Sequence, residues 1–435
     1  MTQPTATPVT PEARSHVEDL ASFVQASPSS FHAAAQVARR LEAAGFAPVD
    51  EREAWPAQPG GRFVVVRGGA VIAWIVPENA GPTTPARIFG AHSDSPAFKL
   101  KPRPTTGSRG WLQAGVEVYG GPLLNSWLDR ELRLAGRLVL DDGTDVLAAT
   151  GALLRLPQLA IHLDREANDH LTLDKQRQTQ PVWGLGEPAT ADVLAELAQS
   201  AGVDAARIRG YDVVTADSAR GALFGAGDVF FASGRLDDLA SVHAGLVALE
   251  NLAASTRSLH HIPMLAVFDH EEVGSESRTG AAGPFLSDVL ERIGGALGAT
   301  RDDRLRALAE SWCVSSDVGH SVHPNYAEKH DPVVQPVLGS GPILKINANQ
   351  RYATDAEGAA AWHAWCADAG VTSQEFVSNN AVPCGSTIGP ITATRLGIRT
   401  VDVGIPILSM HSARELAGTA DLWALARVAE TFWRD

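Results

Sequence analysis

An α/β layered body interrupted by a β-rich insertion is the fold class that this sequence predicts. Three observations carry it. Helix and strand signals alternate at both ends of the chain. Between about residues 102 and 232 the texture changes to short strands and Gly/Pro turns. And His, Asp and Glu collect immediately after apolar runs, most densely in "FDHEEVGSES" behind "IPMLAVF". Charged groups at the end of a buried strand need water, a partner or a metal.

Taken in order, the opening "MTQPTATPVTPE" is Pro/Thr-rich and lacks the basic and apolar regions of a signal peptide; residues 1–13 are expected to form a flexible tail. From Arg14 to Gly45 two amphipathic helices are expected, broken at "ASPSS", with Ser29 or Ser30 capping the second. "RFVVVRGGAVIAWIV" predicts a hairpin turning at Gly68-Gly69. "ARIFGAHSDSP" follows as a strand running into a polar loop. The insertion then carries "GGPLLNSWLDRELRLAGRLVLDDGTDV", a polar stretch at 164–180, the helical "TADVLAELAQSAG" and further strands. "LASVHAGLVALENLA" resumes the helical pattern, "IPMLAVF" is a strand, and "TADLWALARVAETFW" closes the chain as a helix. The expected division is a first part of the main domain at 1–101, an inserted domain at 102–232 and a second part at 233–435.

At 435 residues, 45% hydrophobic and 20% charged, the chain has the composition of a globular protein large enough to fold without disulfides. Cys313, Cys366 and Cys384 are far apart and odd in number, which argues against a disulfide framework or a CxxC site and fits a reducing compartment. The net charge of −14 argues against nucleic acid as a partner. With no apolar stretch long enough to span a bilayer, no membrane association is expected and the cytoplasm is the expected location.

Five segments carry chemistry. "GAHSDSP" places His92 and Asp94 two apart, on one face of an extended chain, so that Asp94 can fix the His92 tautomer. "SGRLDDLAS" sets Asp237 and Asp238 at a helix mouth, where one serves as an N-cap or as a bridge between cations. In "FDHEEVG", Glu271 and Glu272 point in different directions, leaving one for metal and one as a base. "SSDVGHSVHPNY" contributes Asp317, with His320 and His323 nearby, and "VGIPILSMHSARE" contributes His411. Each follows an apolar stretch, as ligand-collecting residues do at the carboxyl ends of α/β strands. Two His and three carboxylates without thiolate suit zinc or a similar divalent ion, and are too many for one catalytic zinc; two ions sharing a carboxylate would use them. There is no HExxH, no GxSxG elbow and no P-loop.

The motifs "GAHSDSPAFKLKP", "GGPLLNSWLDREL", "SGRLDDLAS", "FDHEEVGSES", "SDVGHSVHPNY", "KINANQRYATD" and "PCGSTIGPITATRLGIRTVDVGIPILSMHSARE" strongly resemble the aspartyl aminopeptidase family of di-zinc metallopeptidases, from about residue 15 onward. Ala97 stands where that family usually has Gly, and Gly319 where it has Ala. The resemblance implies a three-layer zinc-peptidase catalytic domain carrying a β-rich dimerisation domain, with dimers assembled into a tetrahedral dodecamer. It implies His92, Asp237, Glu272, Asp317 and His411 as ligands of two divalent ions (zinc, with Co2+ or Mn2+ as substitutes), Asp237 bridging. Asp94 would orient His92 and Glu271 would be the general base, while Asp269 and His270 are expected to be structural. Peptides with an N-terminal Asp or Glu are the implied substrates. Lys345 in the apolar run "GPILKIN" is the expected partner of the substrate's side-chain carboxylate, with Arg351 helping. His320 and His323 line the pocket, and His162 in "LAIHLD" reaches a neighbouring subunit's site. Two rivals stand beside this expectation: a di-zinc aminopeptidase of neutral or broad preference, and a non-catalytic cargo shell that keeps the fold.

Overall fold

The computed structural model describes residues 9–56 and 58–434. Of the tail expected at 1–13, residues 1–8 lie outside the described residues. Pro11–Ala13 do not belong to a tail: they open the helix Pro11–Ala26, because Thr10 caps it and Pro11 sits in its first turn, where a missing N–H costs nothing. The second helix, Ser30–Ala43, is capped by Ser29, whose hydroxyl accepts from the His32 amide.

The main sheet has nine strands. Four of them run parallel in its middle, in the order Ile262–Phe268, Ala86–His92, Trp312–Ser316 and Arg399–Gly404. The hairpin Arg62–Arg67 and Ala70–Ile75 extends one side, pairing antiparallel with Ile262–Phe268. Ile343–Ile346 and Gln374–Val377 extend the other. All seven residues of Ile262–Phe268 are buried, as a strand covered on both faces requires. Leu265 and Val267 pack towards the helices Pro11–Ala26, Ser30–Ala43, Leu236–Ala254 and Thr419–Arg434. Met264, Ala266 and Phe268 face the opposite layer, with Phe285, Val289 and Ile388. This is a three-layer α/β sandwich. Gly245 lets the helix Leu236–Ala254 lie hard against the sheet: a Cβ there would sit 2.7 Å from Leu265 and 2.9 Å from Phe89.

The strands between Ala97 and Asp217 form a separate seven-stranded sheet. Six of them pair in a closed ring, because Ile208–Asp217 bonds to both Ala97–Ser108 and Glu131–Leu140. Closure removes the exposed edges that short Gly-rich strands would otherwise present. Its core gathers Phe98, Leu134, Leu138, Val213 and Trp127. The strands Ala222–Phe224 and Phe230–Ser233 leave this ring and join a small sheet with Glu415–Gly418, Pro406–Leu408 and Gly319–His320. That small sheet holds the loops on either side of the site.

Candidate metal centre

Parallel strands deliver their last residues to one edge of the sheet. His92 ends Ala86–His92, Asp317 follows Trp312–Ser316, and Glu271 and Glu272 form the 3-10 turn after Ile262–Phe268. That turn closes on itself because His270 (φ 65°) and Gly274 (φ 97°) take left-handed conformations at its two ends. Asp237 sits at the mouth of Leu236–Ala254 with extended backbone angles (φ −82°, ψ 100°), and its peptide bond to Asp238 is cis. His411 arrives from the loop after Pro406–Leu408.

Asp237 lies in the middle. Its Oδ1 is 3.1 Å from Nε2 of His92, which is also 3.7 Å from Asp317. Its Oδ2 is 3.4 Å from Nε2 of His411, which is 3.4 Å from Glu272. Two ligand triplets, His92–Asp237–Asp317 and Asp237–Glu272–His411, therefore share one carboxylate, the atoms of each lying within 4.8 Å of one another.

The residues fit divalent cations. Nδ1 of His92 is 3.0 Å from the backbone carbonyl of Asp94, and Nδ1 of His411 is 3.0 Å from that of Gly121. A carbonyl only accepts, so both rings carry a proton on Nδ1 and in the neutral form turn the Nε2 lone pair inward. Each lone pair then faces a carboxylate oxygen, an acceptor against an acceptor, which a cation between them resolves. Oδ1 of Asp237 and Oε1 of Glu272 are buried and accept no hydrogen bond from the described residues. Burial together with Asp237, Asp94 and Glu271 pushes Glu272 well above the usual carboxylate range; burial with Asp317, Asp237 and Asp94 pushes Glu271 up to about 7. For His92, burial opposes the charge, but the surrounding carboxylates outweigh it and hold the ring well above its usual value. So dense a set of acids is short of positive charge. Nitrogen and carboxylate ligands without thiolate match zinc.

Supporting groups surround the triplets, among them Glu415, which the sequence did not single out. Glu415, buried, accepts from the amides of both Asp237 (3.0 Å) and His411 (2.8 Å). Asp238 accepts from the His92 amide at 3.2 Å, so it braces the strand end and does not point at the cluster's centre. Asp94 orients His92 by its backbone carbonyl, while its carboxylate accepts from the amides of Glu271 (3.0 Å) and Glu272 (3.2 Å). Asp269 is buried and accepts from the His270 amide, and the His270 ring bonds Ser277 (2.8 Å) and Thr279 (3.2 Å), shaping the turn.

On the substrate side, a cavity of about 270 Å³ opens between His320, which follows Asp317 by three residues, and Met410, which precedes His411. Among the described residues, His320, His323, Lys329 and His330 line it and no carboxylate does. Lys345 is not in this lining. It is buried, donates to the Val318 carbonyl at 2.8 Å and lies 3.4 Å from Asp317. Arg351 is exposed and donates to the Gly385 carbonyl. His162 lies in an exposed turn of the inserted sheet's long loop, between Ile161 and Leu163, and lines neither this cavity nor the ligand triplets.

The sequence profile of the aminopeptidase I zinc metalloprotease (M18) family matches residues 23–433. The chain belongs to this family. It is similar to the "Probable M18 family aminopeptidase 2" of Streptomyces avermitilis, 56% identical over 422 residues, covering 96% of this chain and 98% of the relative. Among solved structures it resembles the protein in the cryo-EM structure of the Ape4 and Nbr1 complex, with a TM-score of 0.93 at 33% identity, covering 97% of this chain and 86% of the other. It also resembles the S. cerevesiae mApe1 dodecamer, with a TM-score of 0.85 at 28% identity and 98% coverage of each chain. This M18 chain is thus a zinc metallo-aminopeptidase, and the three-layer zinc-peptidase fold expected from its motifs is the fold it has.

Proposed function

We propose that this M18 enzyme is an aspartyl aminopeptidase that carries two zinc ions per chain and removes N-terminal Asp or Glu from peptides. One ion is assigned to His92, Asp237 and Asp317, the other to Asp237, Glu272 and His411. The observation that carries the dinuclear reading is the pair of triplets meeting at Asp237. When bound, the ions polarise the scissile carbonyl and acidify the attacking water. Glu271 takes the water's proton and passes it to the leaving amine. Asp94 holds Glu271 for that work through its amide and sets the His92 tautomer through its own carbonyl.

The acidic preference is supported by Lys329 on the wall of the cavity beside the centre, which no carboxylate among the described residues lines; burial holds His320 and His330 below the usual imidazole range, so these rings offer hydrogen bonds and not charge. Lys345 and Arg351, named from the sequence as partners of the substrate's carboxylate, do not line this cavity; Lys345 acts from behind Asp317, and Lys329 on the wall is the proposed contact. The rival, a neutral or broad preference, is favoured by Phe376, Ile407, Leu408 and Met410 in the same wall.

For assembly, we infer that the inserted sheet, expected at 102–232 and built from the strands between Ala97 and Asp217, is the dimerisation domain of a homododecamer built from dimers; the similar mApe1 is a dodecamer. Leu159, Ile161 and Leu163 stand exposed around His162, an apolar patch suited to a second copy. Among the described residues no helix is long and apolar enough to cross a membrane. A cytoplasmic location is supported by Cys313, Cys366 and Cys384, all unpaired. Metal analysis combined with a panel of aminoacyl anilides tests the whole reading. Two zinc ions per active chain and faster cleavage of aspartyl and glutamyl anilides are expected; preference for leucyl anilide would replace the acidic assignment with its rival.

A further inference from the structure

The inserted sheet reaches the metal centre through one loop. Its strand Trp111–Tyr119 ends at Tyr119, whose hydroxyl donates to Oδ2 of Asp94 at 2.8 Å. That carboxylate is the one accepting from the amides of Glu271 and Glu272, and the Asp94 backbone carbonyl bonds the His92 ring. Two residues later, the Gly121 carbonyl accepts from Nδ1 of His411 at 3.0 Å, and the Leu123 amide donates to the His411 carbonyl at 2.9 Å. Between them Gly120 (φ 69°) crosses Glu272 so closely that a Cβ would lie 3.2 Å from that side chain's first carbon.

We propose that this loop completes the catalytic centre from the inserted domain: Tyr119 is a positioning residue that fixes Asp94, and through it the His92 ring and the Glu271–Glu272 turn, while the Gly121 carbonyl sets the tautomer of His411. The proposal rests on the ligand assignment above. A carboxylate that holds two backbone amides in place does so only while its own orientation is fixed, and among the described residues the tyrosine hydroxyl is its one side-chain donor besides the imidazole, 3.5 Å away. Hydrogen bonds to charged groups are the stronger kind. The domain otherwise available for contacts between copies therefore has a second task, in its own subunit.

Tyr119→Phe removes the hydroxyl alone. In the zinc-loaded enzyme it is expected to lower kcat roughly 10- to 100-fold with KM within about twofold, and to speed release of zinc to a chelator by a similar factor, as loss of a group supporting metal ligands does. The visible absorption bands of the Co2+-substituted protein should shift. Ser126→Ala gives a second route: it deletes the hydroxyl that accepts the Ala413 amide at 2.9 Å, two residues past His411, and should speed release severalfold. Tyr211→Phe is the comparison, since it breaks a tyrosine hydrogen bond of the same kind, to the Lys101 carbonyl at 2.7 Å, elsewhere in the inserted sheet. Zinc release and kcat within twofold of wild type in both variants, or losses no larger than those of Tyr211→Phe, would overturn the proposal. A wild-type enzyme with no chelatable zinc would instead sink the ligand assignment on which it rests.

Discussion

The ammonium of Lys345 lies 3.4 Å from Oδ2 of Asp317, buried beneath the metal centre with its proton donated to the Val318 carbonyl. A lysine so held steadies the carboxylate of a proposed metal ligand before it can meet a substrate. Lys345→Ala is expected to depress turnover of aspartyl and leucyl anilides alike and to loosen metal. Lys329→Ala, on the open cavity wall, should raise KM for the aspartyl substrate about 10-fold, the worth of one charge-assisted bond, and leave the leucyl substrate unchanged. Steady-state kinetics on both substrates separates the two. A selective loss of the acidic substrate in Lys345→Ala would return that lysine to direct recognition.

Asp237→Ala removes the carboxylate common to both triplets. Elemental analysis of the purified variant should fall from about two ions per chain towards none, with activity lost in parallel. One ion or none in fully active wild type would refute the dinuclear assignment.

Glu271→Gln keeps the side-chain shape and the amide bonded to Asp94. It should retain zinc and lose turnover by roughly 10²- to 10⁴-fold, the range for a missing general base. Near-wild-type rates would exclude that role.

Acid sensitivity has a source outside the ligand triplets. His16 on the first helix is buried against His243, with ring centroids 4.7 Å apart, and burial first and His243 second pull its pKa down to about 3. The unfolded chain then binds one more proton than the folded chain between about pH 6.5 and 3, so this residue's contribution is lost as pH falls through that window. His16→Phe should reduce the loss of stability between pH 6 and 5 by roughly 1 kcal/mol. Thermal midpoints at the two pH values measure it; an equal drop in variant and wild type would show that the ring titrates normally.

Mass photometry at micromolar concentration should find assemblies larger than a dimer. Replacing Leu159, Ile161 and Leu163 together with Ser should break them down. A fully active wild-type monomer would refute the assembly.

Much of the site could be read because parallel strands announce their ends. "IPMLAVF" is apolar at every position, and the polar residues that follow such a run have to lie on the sheet's carboxyl edge. What could not be read was set by distant backbone. The Gly121 carbonyl that turns His411 has no side chain to betray it. Glu415 looks in sequence like one more acid in "HSARE", yet it ties Asp237 to His411 through two amides. Lys345 could be placed in an apolar strand but not assigned a neighbour, since Asp317 meets it only through the chain's crossing order. The ring closure of the inserted sheet was equally hidden, because Ala97–Ser108 and Ile208–Asp217 pair across more than a hundred residues. Composition alone makes the tail three residues too long, since Thr10 and Pro11 already carry a helix-start signal.

The ligands of the proposed centre are made in the order His92, Asp237, Glu272, Asp317, His411, and the triplets are not sequential: the second is incomplete until His411 has been synthesised and docked. Glu415, which aligns Asp237 with His411, comes later still. Domains fold as the chain emerges, so the barrel and much of the main sheet can form while the enzyme is chemically silent. An aminopeptidase made in a cell full of nascent amino termini would thereby stay inactive until His411 and Glu415 are in place.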